Sequence, residues 1–355
     1  MSTLAAQLSL VPSIEVAADE RNAMELDAFA DAHPAGSLYH RSAWRGLIRR
    51  LFGHETCCLY VRNQAGAITG LLPVVRLRSR LFGNYMVSMP YVNRGGAIAD
   101  DPVVEESLMC AAAQLALRKG CSHAEFRDTF PRGPEWSLRT DKVAMVLPLP
   151  QGAQALWKAI GGKCRAQVKR PMRENARVLH GGAELLSDFY TVFARNMRDL
   201  GTPVYPRRFF AAVCEAMGDA AAITVVRLGQ RPVAAGLQLR DRQRMEVPWA
   251  SSLRETNGLG ANMLLYWSML ERAVTEGCEE FDFGRSSVGS GTWRFKKQWG
   301  AEERQLYWHY WLAPGRQVPV MNPGNPRYRL AIKAWQRLPL ALANFLGPHI
   351  VKSLP

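Results

Sequence analysis

The sequence predicts an α/β (α+β) protein: two tandem units, each with a mixed central sheet, and a basic C-terminal tail. Three observations predict it. One order of elements occurs twice along the chain. The length of 355 residues suits two domains. Hydrophobic residues make up 48% and charged residues 21%, the balance of a globular chain able to bury cores. No stretch approaches about eighteen uninterrupted apolar residues, so no membrane-spanning helix is expected.

The chain opens on residues 1–19, mildly apolar but without a basic leader or a clear cleavage site, and this is read as a ragged start. The first copy follows over 20–150. Residues 20–32 and 42–51 have helical periodicity. Residues 57–62 and 67–76 form a hairpin across 63–66, and 84–89 is a third strand. A loop over 90–101, a helix over 103–118 and a strand over 122–127 complete it.

The second copy, over 151–313, repeats that order. Residues 184–200 and 207–217 are helical, with Phe189, Val192, Phe193 and Met197 on one stripe. Residues 223–228 and 232–239 pair across Gly229-Gln230, and 244–250 is the third strand. A glycine-bearing loop spans 251–260. The helix over 262–276 buries Met263, Tyr266, Trp267, Leu270 and Val274. A short strand lies at 279–283 and an aromatic strand at 304–312. Local sequence echoes too: Lys119-Gly120-Cys121 precedes Phe126 as Glu276-Gly277-Cys278 precedes Phe283. Hairpin, strand, glycine loop, helix, strand resembles the order of a GNAT-type (acyl-CoA N-acyltransferase-like) domain, here in tandem.

Between the copies, 158–180 carries Lys158, Lys163, Arg165, Lys169, Arg170, Arg173 and Arg177 against the single acid Glu174. It reads either as a solvated helix pair broken at Pro171 or as the wall of an anion-binding cleft. The tail, 314–355, mixes Leu330, Trp335, Leu342 and Phe345 with Arg327, Arg329, Lys333 and Arg337. Packing on its own domain and lying on an anionic membrane through 327–354 are the two readings.

The formal net charge of +14 favours anionic partners without choosing among them. The seven scattered cysteines include the adjacent Cys57 and Cys58, which point to opposite faces of a strand. Reduced thiols in a cytoplasmic protein are expected. Neither the cysteines nor the seven histidines have metal-ligand spacing, so no metal is expected.

Two segments carry candidate chemistry. The first runs from Arg254 to Asn262 and contains Gly258 and Gly260. It joins a strand to a helix start, where unpaired N–H groups favour phosphate or pantetheine-type ligands. Arg254, Gly258, Gly260 and Asn262 are therefore the expected donor-binding residues. The second begins with Asp282-Phe283-Gly284-Arg285-Ser286, read as a polar loop leaving a strand, and continues through Gly291–Gly300. No kinase signal accompanies its Asp-Phe-Gly triplet. Lys296 and Lys297 are adjacent, so on a helix only one of them points inward.

The run Gly291-Thr292-Trp293-Arg294-Phe295-Lys296-Lys297-Gln298-Trp299-Gly300 resembles the glycine, aromatic, Phe-Lys, aromatic-Gly motif of the Fem family. That family transfers amino acids from aminoacyl-tRNA to peptidoglycan precursors on two GNAT-like domains, and its motif lysine falls on Lys296. The Fem-related subgroup found with exosortase (PEP-CTERM) and exopolysaccharide systems is similar in further places. These are Arg78–Asn84, Leu200–Arg208, Phe281–Ser286 and Asn325–Leu330. The long helical arm of some tRNA-using members is missing, so tRNA is the less favoured donor.

The resemblance implies a cytoplasmic acyltransferase, peripheral at the inner face of the membrane if the tail binds lipid. It would pass an acyl or aminoacyl group directly to an amine or hydroxyl of a cell-envelope or exopolysaccharide precursor. Lys296 and Asp282 are the catalytic candidates; Arg285 and Ser286, with Tyr91, Asn93 and Arg94 of the first copy, are the acceptor-side candidates. No tightly bound cofactor is expected; acyl-CoA or aminoacyl-tRNA would be the donor substrate. The acceptor would be a small molecule or a lipid-linked glycan or peptide precursor. Two alternatives are a non-catalytic GNAT-like module in a polysaccharide or export system and an aminoacyl-tRNA-dependent peptidyltransferase.

Overall fold

A computed structural model describes residues 13–18, 22–319 and 326–354, without the side chains of 326–328. Among these the chain divides into two compact units. One holds the residues up to Thr140 with Leu306–Pro319 and the last residues from Ser353; the other holds Asp141–Gln305 and the tail to Lys352.

In the first unit the described elements are β1 (Ile14–Ala17), α1 (Ala23–Ala32), α2 (Ser42–Phe52), β2 (Glu55–Arg62), β3 (Ile68–Ser79), β4 (Gly83–Val87), β5 (Ile98–Ala99), α3 (Pro102–Arg118), β6 (His123–Asp128) and β7 (Ser137–Arg139). The strand Tyr307–Leu312, β15 in chain order, joins them. The sheet runs β1-β2-β3-β4-β6-β15-β7, with β5 on β3. Asp101 starts α3 by accepting the Val103 N–H, and Pro102 fits its first turn. The helix lays Leu108, Met109, Ala112 and Ala116 on Leu59, Leu72, Met86 and Phe126. Leu26 and Ala30 of α1 join a second core cluster, with Tyr60, Leu71 and Ile98.

The second unit runs β8 (Val143–Pro148), α4 (Ala153–Ala159), α5 (Gly162–Arg173), β9 (Ala176–Gly181), α6 (Leu186–Leu200), α7 (Arg207–Met217), β10 (Ala221–Leu228), β11 (Arg231–Asp241), β12 (Arg244–Ser252), α8 (Ala261–Thr275), β13 (Glu280–Ser286), α9 (Gly291–Lys297) and β14 (Glu302–Gln305). Two tail helices follow, α10 (Pro326–Gln336) and α11 (Leu340–Val351). Its sheet is ordered β14-β8-β13-β12-β11-β10-β9. Helix α8 is buried along most of its length, through Met263, Leu264, Leu265, Trp267, Met269 and Leu270.

The expected duplication is present in the topology. An antiparallel hairpin, a third antiparallel strand and a helix crossover lead to a parallel fourth strand in both units: β2-β3-β4-β6 and β10-β11-β12-β13. The fold is α/β with two mixed sheets, as the repeated order predicts.

Several elements differ from the sequence reading. Ile14–Ala17, expected only as part of the ragged start, is an edge strand paired with β2. The expected helix pair over 158–180 ends early: 176–181 is β9, antiparallel to β10. Pro171 lies in the last turn of α5, where it has no N–H to give the Gln167 carbonyl four residues back. The single aromatic strand over 304–312 is two strands in two sheets, β14 on β8 and β15 on β6. Residues 1–12 of the expected ragged start and Asn325 of the tail motif lie outside the described residues. Among the described residues no helix is long and apolar enough to cross a membrane.

Candidate functional site

The second unit has a cavity of about 240 Å³ where α5, the loop before α8, and α9 meet. Asn257, Gly258, Leu259, Gly260, Asn262 and Met263 form one side, and Gln167 and Arg170 the opposite one. Phe295 and Gln298 close it from the α9 side. Helix α8 opens at Gly260 with no side-chain cap, so its first N–H groups are available at this end. Gln167 Oε1 is shut off from solvent and accepts no hydrogen bond among the described residues. A donor on a ligand would satisfy it. Arg170 is exposed on the cavity side of α5 and joins no ion pair among the described residues.

The structure brings Gly258, Gly260 and Asn262 together here but sends Arg254 elsewhere. Its Nη2 donates to the Asp199 carbonyl at 2.8 Å. The two glycines also differ. A Cβ at Gly258 would meet nothing within 4 Å. Gly260 has φ +86°, and a Cβ there would stand 3.0 Å from the Gln167 carbonyl. Glycine at 260 therefore lets α5 approach α8 closely, a packing role that the sequence reading did not anticipate.

Strands β12 and β13 pair in parallel only from Arg244↔Glu280 to Glu246↔Asp282. Beyond that β12 keeps β11 and β13 keeps β8, so the two strands part. The parting coincides with a register shift between Asp282 and Arg285, where Gly284 takes φ +78°. Asp282 holds this bulge. Its Oδ1 accepts the Gly284 N–H at 2.8 Å, and its Oδ2 accepts from Arg244 Nη2 at 2.5 Å. Asp282 lies in the strand expected at 279–283, and Arg285 and Ser286 also sit within it, not in the loop expected for them, because β13 continues past the bulge along β8.

Helix α9 starts at Ser290, whose Oγ accepts the Trp293 N–H at 3.2 Å. Of its two lysines, Lys296 turns inward and is 7% exposed. Its Nζ donates to the carbonyls of Gly284 at 3.0 Å and Arg285 at 2.9 Å. Burial pushes its pKa down to about 8; the Asp282 carboxylate opposes the shift and the Arg285 guanidinium adds to it. Lys297 turns outward to Glu303 at 3.4 Å. Phe295 stacks edge-on against Tyr266 at 5.0 Å and Trp299 is buried, which fixes the helix. Ser286 is buried, with its Oγ donating to Thr292 Oγ1 at 3.4 Å, while the Arg285 side chain is exposed.

Residues 162–297 match the acetyltransferase (GNAT) domain family. This segment contains the donor-side residues just described except Gln298. Among curated proteins none matches the chain. Among solved structures, FemX is 14% identical with a TM-score of 0.64, over 90% of this chain and 100% of that one. A tandem GNAT protein from the clavulanic acid biosynthesis pathway is 12% identical with a TM-score of 0.52, over 86% and 100%. The C-terminal domain of a putative lysylphosphatidylglycerol synthetase from Agrobacterium fabrum is 11% identical with a TM-score of 0.53, over 81% and 92%. At such identities the likeness establishes the fold: two GNAT-like units.

The first GNAT-like unit places Tyr91, Asn93 and Arg94 in the loop after β4. Tyr91 holds φ +71°, strained for a side-chain-bearing residue, with its ring edge-on to Phe52 at 5.3 Å. The Asn93 carbonyl accepts the Trp308 indole N–H at 3.4 Å. Arg94 is half-buried and helps lower the pKa of His40, which burial takes to about 4. The loop is anchored by groups the sequence reading missed. Arg127 donates to the Val92 carbonyl and to Glu125, and Tyr310 donates to Glu125 at 2.6 Å. Asp128 holds His309 at 2.8 Å. The available signal was the alternation of Glu125 and Arg127 with Ala124 and Phe126 along β6.

Proposed function

We propose that the second GNAT-like unit is an acyltransferase that moves an acyl group from a phosphate-bearing, amide-containing carrier directly to an amine or hydroxyl. A coenzyme A thioester is the first donor to test. The observation that carries this reading is the cavity at the start of α8, which joins an uncapped helix end, Arg170 and the unfilled acceptor Gln167 Oε1. Helix N-termini and arginine suit phosphate, and an amide N–H on the carrier arm suits Gln167. The parted edges of β12 and β13 leave backbone groups to which an extended amide arm can add.

In this proposal Gly258 and Asn262 line the donor site, Gly260 shapes it, and Arg254 supports the loop from outside. The acceptor nitrogen or oxygen attacks the acyl carbonyl, the tetrahedral intermediate expels the carrier thiolate, and the acceptor proton leaves to solvent or to the thiolate. The Lys296 ammonium supplies positive charge against the developing oxyanion, by direct contact or through the Gly284–Arg285 backbone it holds. Both oxygens of Asp282 are engaged, so we assign it the positioning of the bulge. Within this unit Arg285 and Ser286 are assigned to the acceptor. Direct transfer is favoured because burial raises the thiol pKa of Cys164, Cys214 and Cys278, leaving no poised thiolate in this unit.

The acceptor class we propose is a cell-envelope or exopolysaccharide precursor, on the strength of the motif resemblance to the Fem-related PEP-CTERM subgroup. A second reading, aminoacyl-tRNA as donor, is favoured by the exposed cations Lys163, Lys169, Arg170 and Arg173 on α5, which join no ion pair among the described residues. Calorimetric titration tests the choice. Coenzyme A should bind the full chain, and Arg170→Glu should weaken it about tenfold with an unchanged melting temperature. Binding of aminoacyl-tRNA alone would move the donor assignment. Binding of neither would favour a non-catalytic module.

A further inference from the structure

The two tail helices dock on the second unit by one face only. Helices α10 and α11 both pack on α6. The Leu338 carbonyl between them accepts from Arg198 Nη1 at 3.0 Å. Ile332 meets the chain where Gly201 has no side chain, and Gly347 lets α11 lie against the Val204 backbone. Ala343, Gly347 and Val351 form the buried side of α11.

The other side is apolar and faces solvent. Leu342, Phe345, Leu346 and His349 follow i, i+3, i+4, i+7 spacing, one face of a helix. Phe345 is 68% exposed and Leu330, on α10, 69%. Large apolar groups collected on one exposed face, rather than scattered, mark an interaction surface. The charges along the tail have one sign. Arg329, Lys333 and Arg337 are exposed on or just after α10, and the sequence holds no Asp or Glu after Glu303. On α6, against which both helices pack, Asp199 is paired with Arg198 at 2.7 Å and Asp188 with Arg227 at 2.5 Å.

We infer that the outer face of α10 and α11 is a docking surface for an anionic lipid membrane. An apolar stripe beside cations and without a free acid matches a bilayer surface: side chains enter the headgroup boundary while Lys and Arg meet lipid phosphates. A second copy of this chain fits less well, since it would set these cations against their own kind. The inference does not depend on the acyl-transfer reading, because it uses no residue of the cavity, of β13 or of α9.

Flotation of the full chain with phosphatidylcholine vesicles, with and without phosphatidylglycerol, tests it. Binding should require phosphatidylglycerol and weaken with salt as charges are screened over about 8 Å at physiological ionic strength. Phe345→Glu should weaken it at least about tenfold through lost apolar insertion. Removing Lys333 or Arg337 as Ala should cost about fivefold each. Leu81→Glu, an exposed apolar site in the first unit, should change nothing. In the unaltered protein, vesicles should slow amide exchange over 340–351. Equal binding to phosphatidylcholine alone, equal loss with Leu81→Glu, or no exchange protection overturns the inference. So does a dimer that Phe345→Glu splits without any vesicle binding.

Discussion

Lys296→Met is the most informative single substitution, because stability and rate should part company. Burial takes the Lys296 pKa from 10.5 to about 8, so holding the ammonium at pH 7 costs about 3 kcal/mol relative to the neutral amine. Removing it returns that cost but leaves two carbonyls without their donor, a loss of about 1–3 kcal/mol. The two nearly cancel, so the melting temperature should move by no more than about 5 °C. The rate should fall about 10²–10³-fold, the usual effect of deleting one oxyanion-stabilising group. Lys297→Met removes the same charge from an exposed position and should cost under about threefold. The sign with pH follows from a folded pKa below the unfolded one. The cost is fully present below pH 8 and is relieved as pH rises towards 10.5, so protein stability gains over that window in the native chain and not in Lys296→Met. Activity that needs the ammonium should instead fall as pH rises through about 8. Single-turnover transfer from the bound donor, with calorimetric melts alongside, reads all of these. Equal rate losses in the two variants, or a rate that climbs through pH 8, would refute the role.

Two further substitutions test the scaffold of the site. Gly260→Val places a branched side chain at φ +86° against the Gln167 carbonyl and should cost about 2–4 kcal/mol in denaturant unfolding, whereas Gly258→Ala should stay within about 0.5 kcal/mol. Asp282→Ala leaves the Arg244 guanidinium to its longer pair with Glu280 at 3.5 Å and frees the bulge, so it should cost about 2–4 kcal/mol; Asp282→Asn, which can still accept the Gly284 N–H, should lose less stability and retain measurable transfer if the carboxylate is not a base.

The element order of the two copies was legible because amphipathic period and turn residues agree in both, whereas Ala153–Ala159 and the two tail helices were not read as helices. Strand 143–148 was not legible either, since a continuous apolar run buried on both faces has no period to read. β9 was hidden by its position at the edge, where neither face is fully buried and the basic run continues into it. The division of 304–312 between two sheets has no local mark, because Leu306 is neither Gly nor Pro and is itself buried. At the site, adjacency on a helix allowed only one of Lys296 and Lys297 to turn inward, and the motif resemblance pointed to Lys296. Arg170 was among the cations read as a possible cleft wall, whereas the contribution of Gln167 was not legible, because it arises only when α5 packs on α8. The engagement of both Asp282 oxygens likewise depends on Arg244, far off in sequence.

The central claim is direct acyl transfer by the second GNAT-like unit. Its most direct measurement uses the full chain with radiolabelled acetyl-coenzyme A and a set of amines, amino sugars and extracted envelope lipids, quenched in acid and separated. Direct transfer predicts label in a small-molecule or lipid product, none retained on the protein, and about hundredfold less product with Lys296→Met. Label held covalently on the protein would contradict direct transfer, and undiminished product with Lys296→Met would contradict the site.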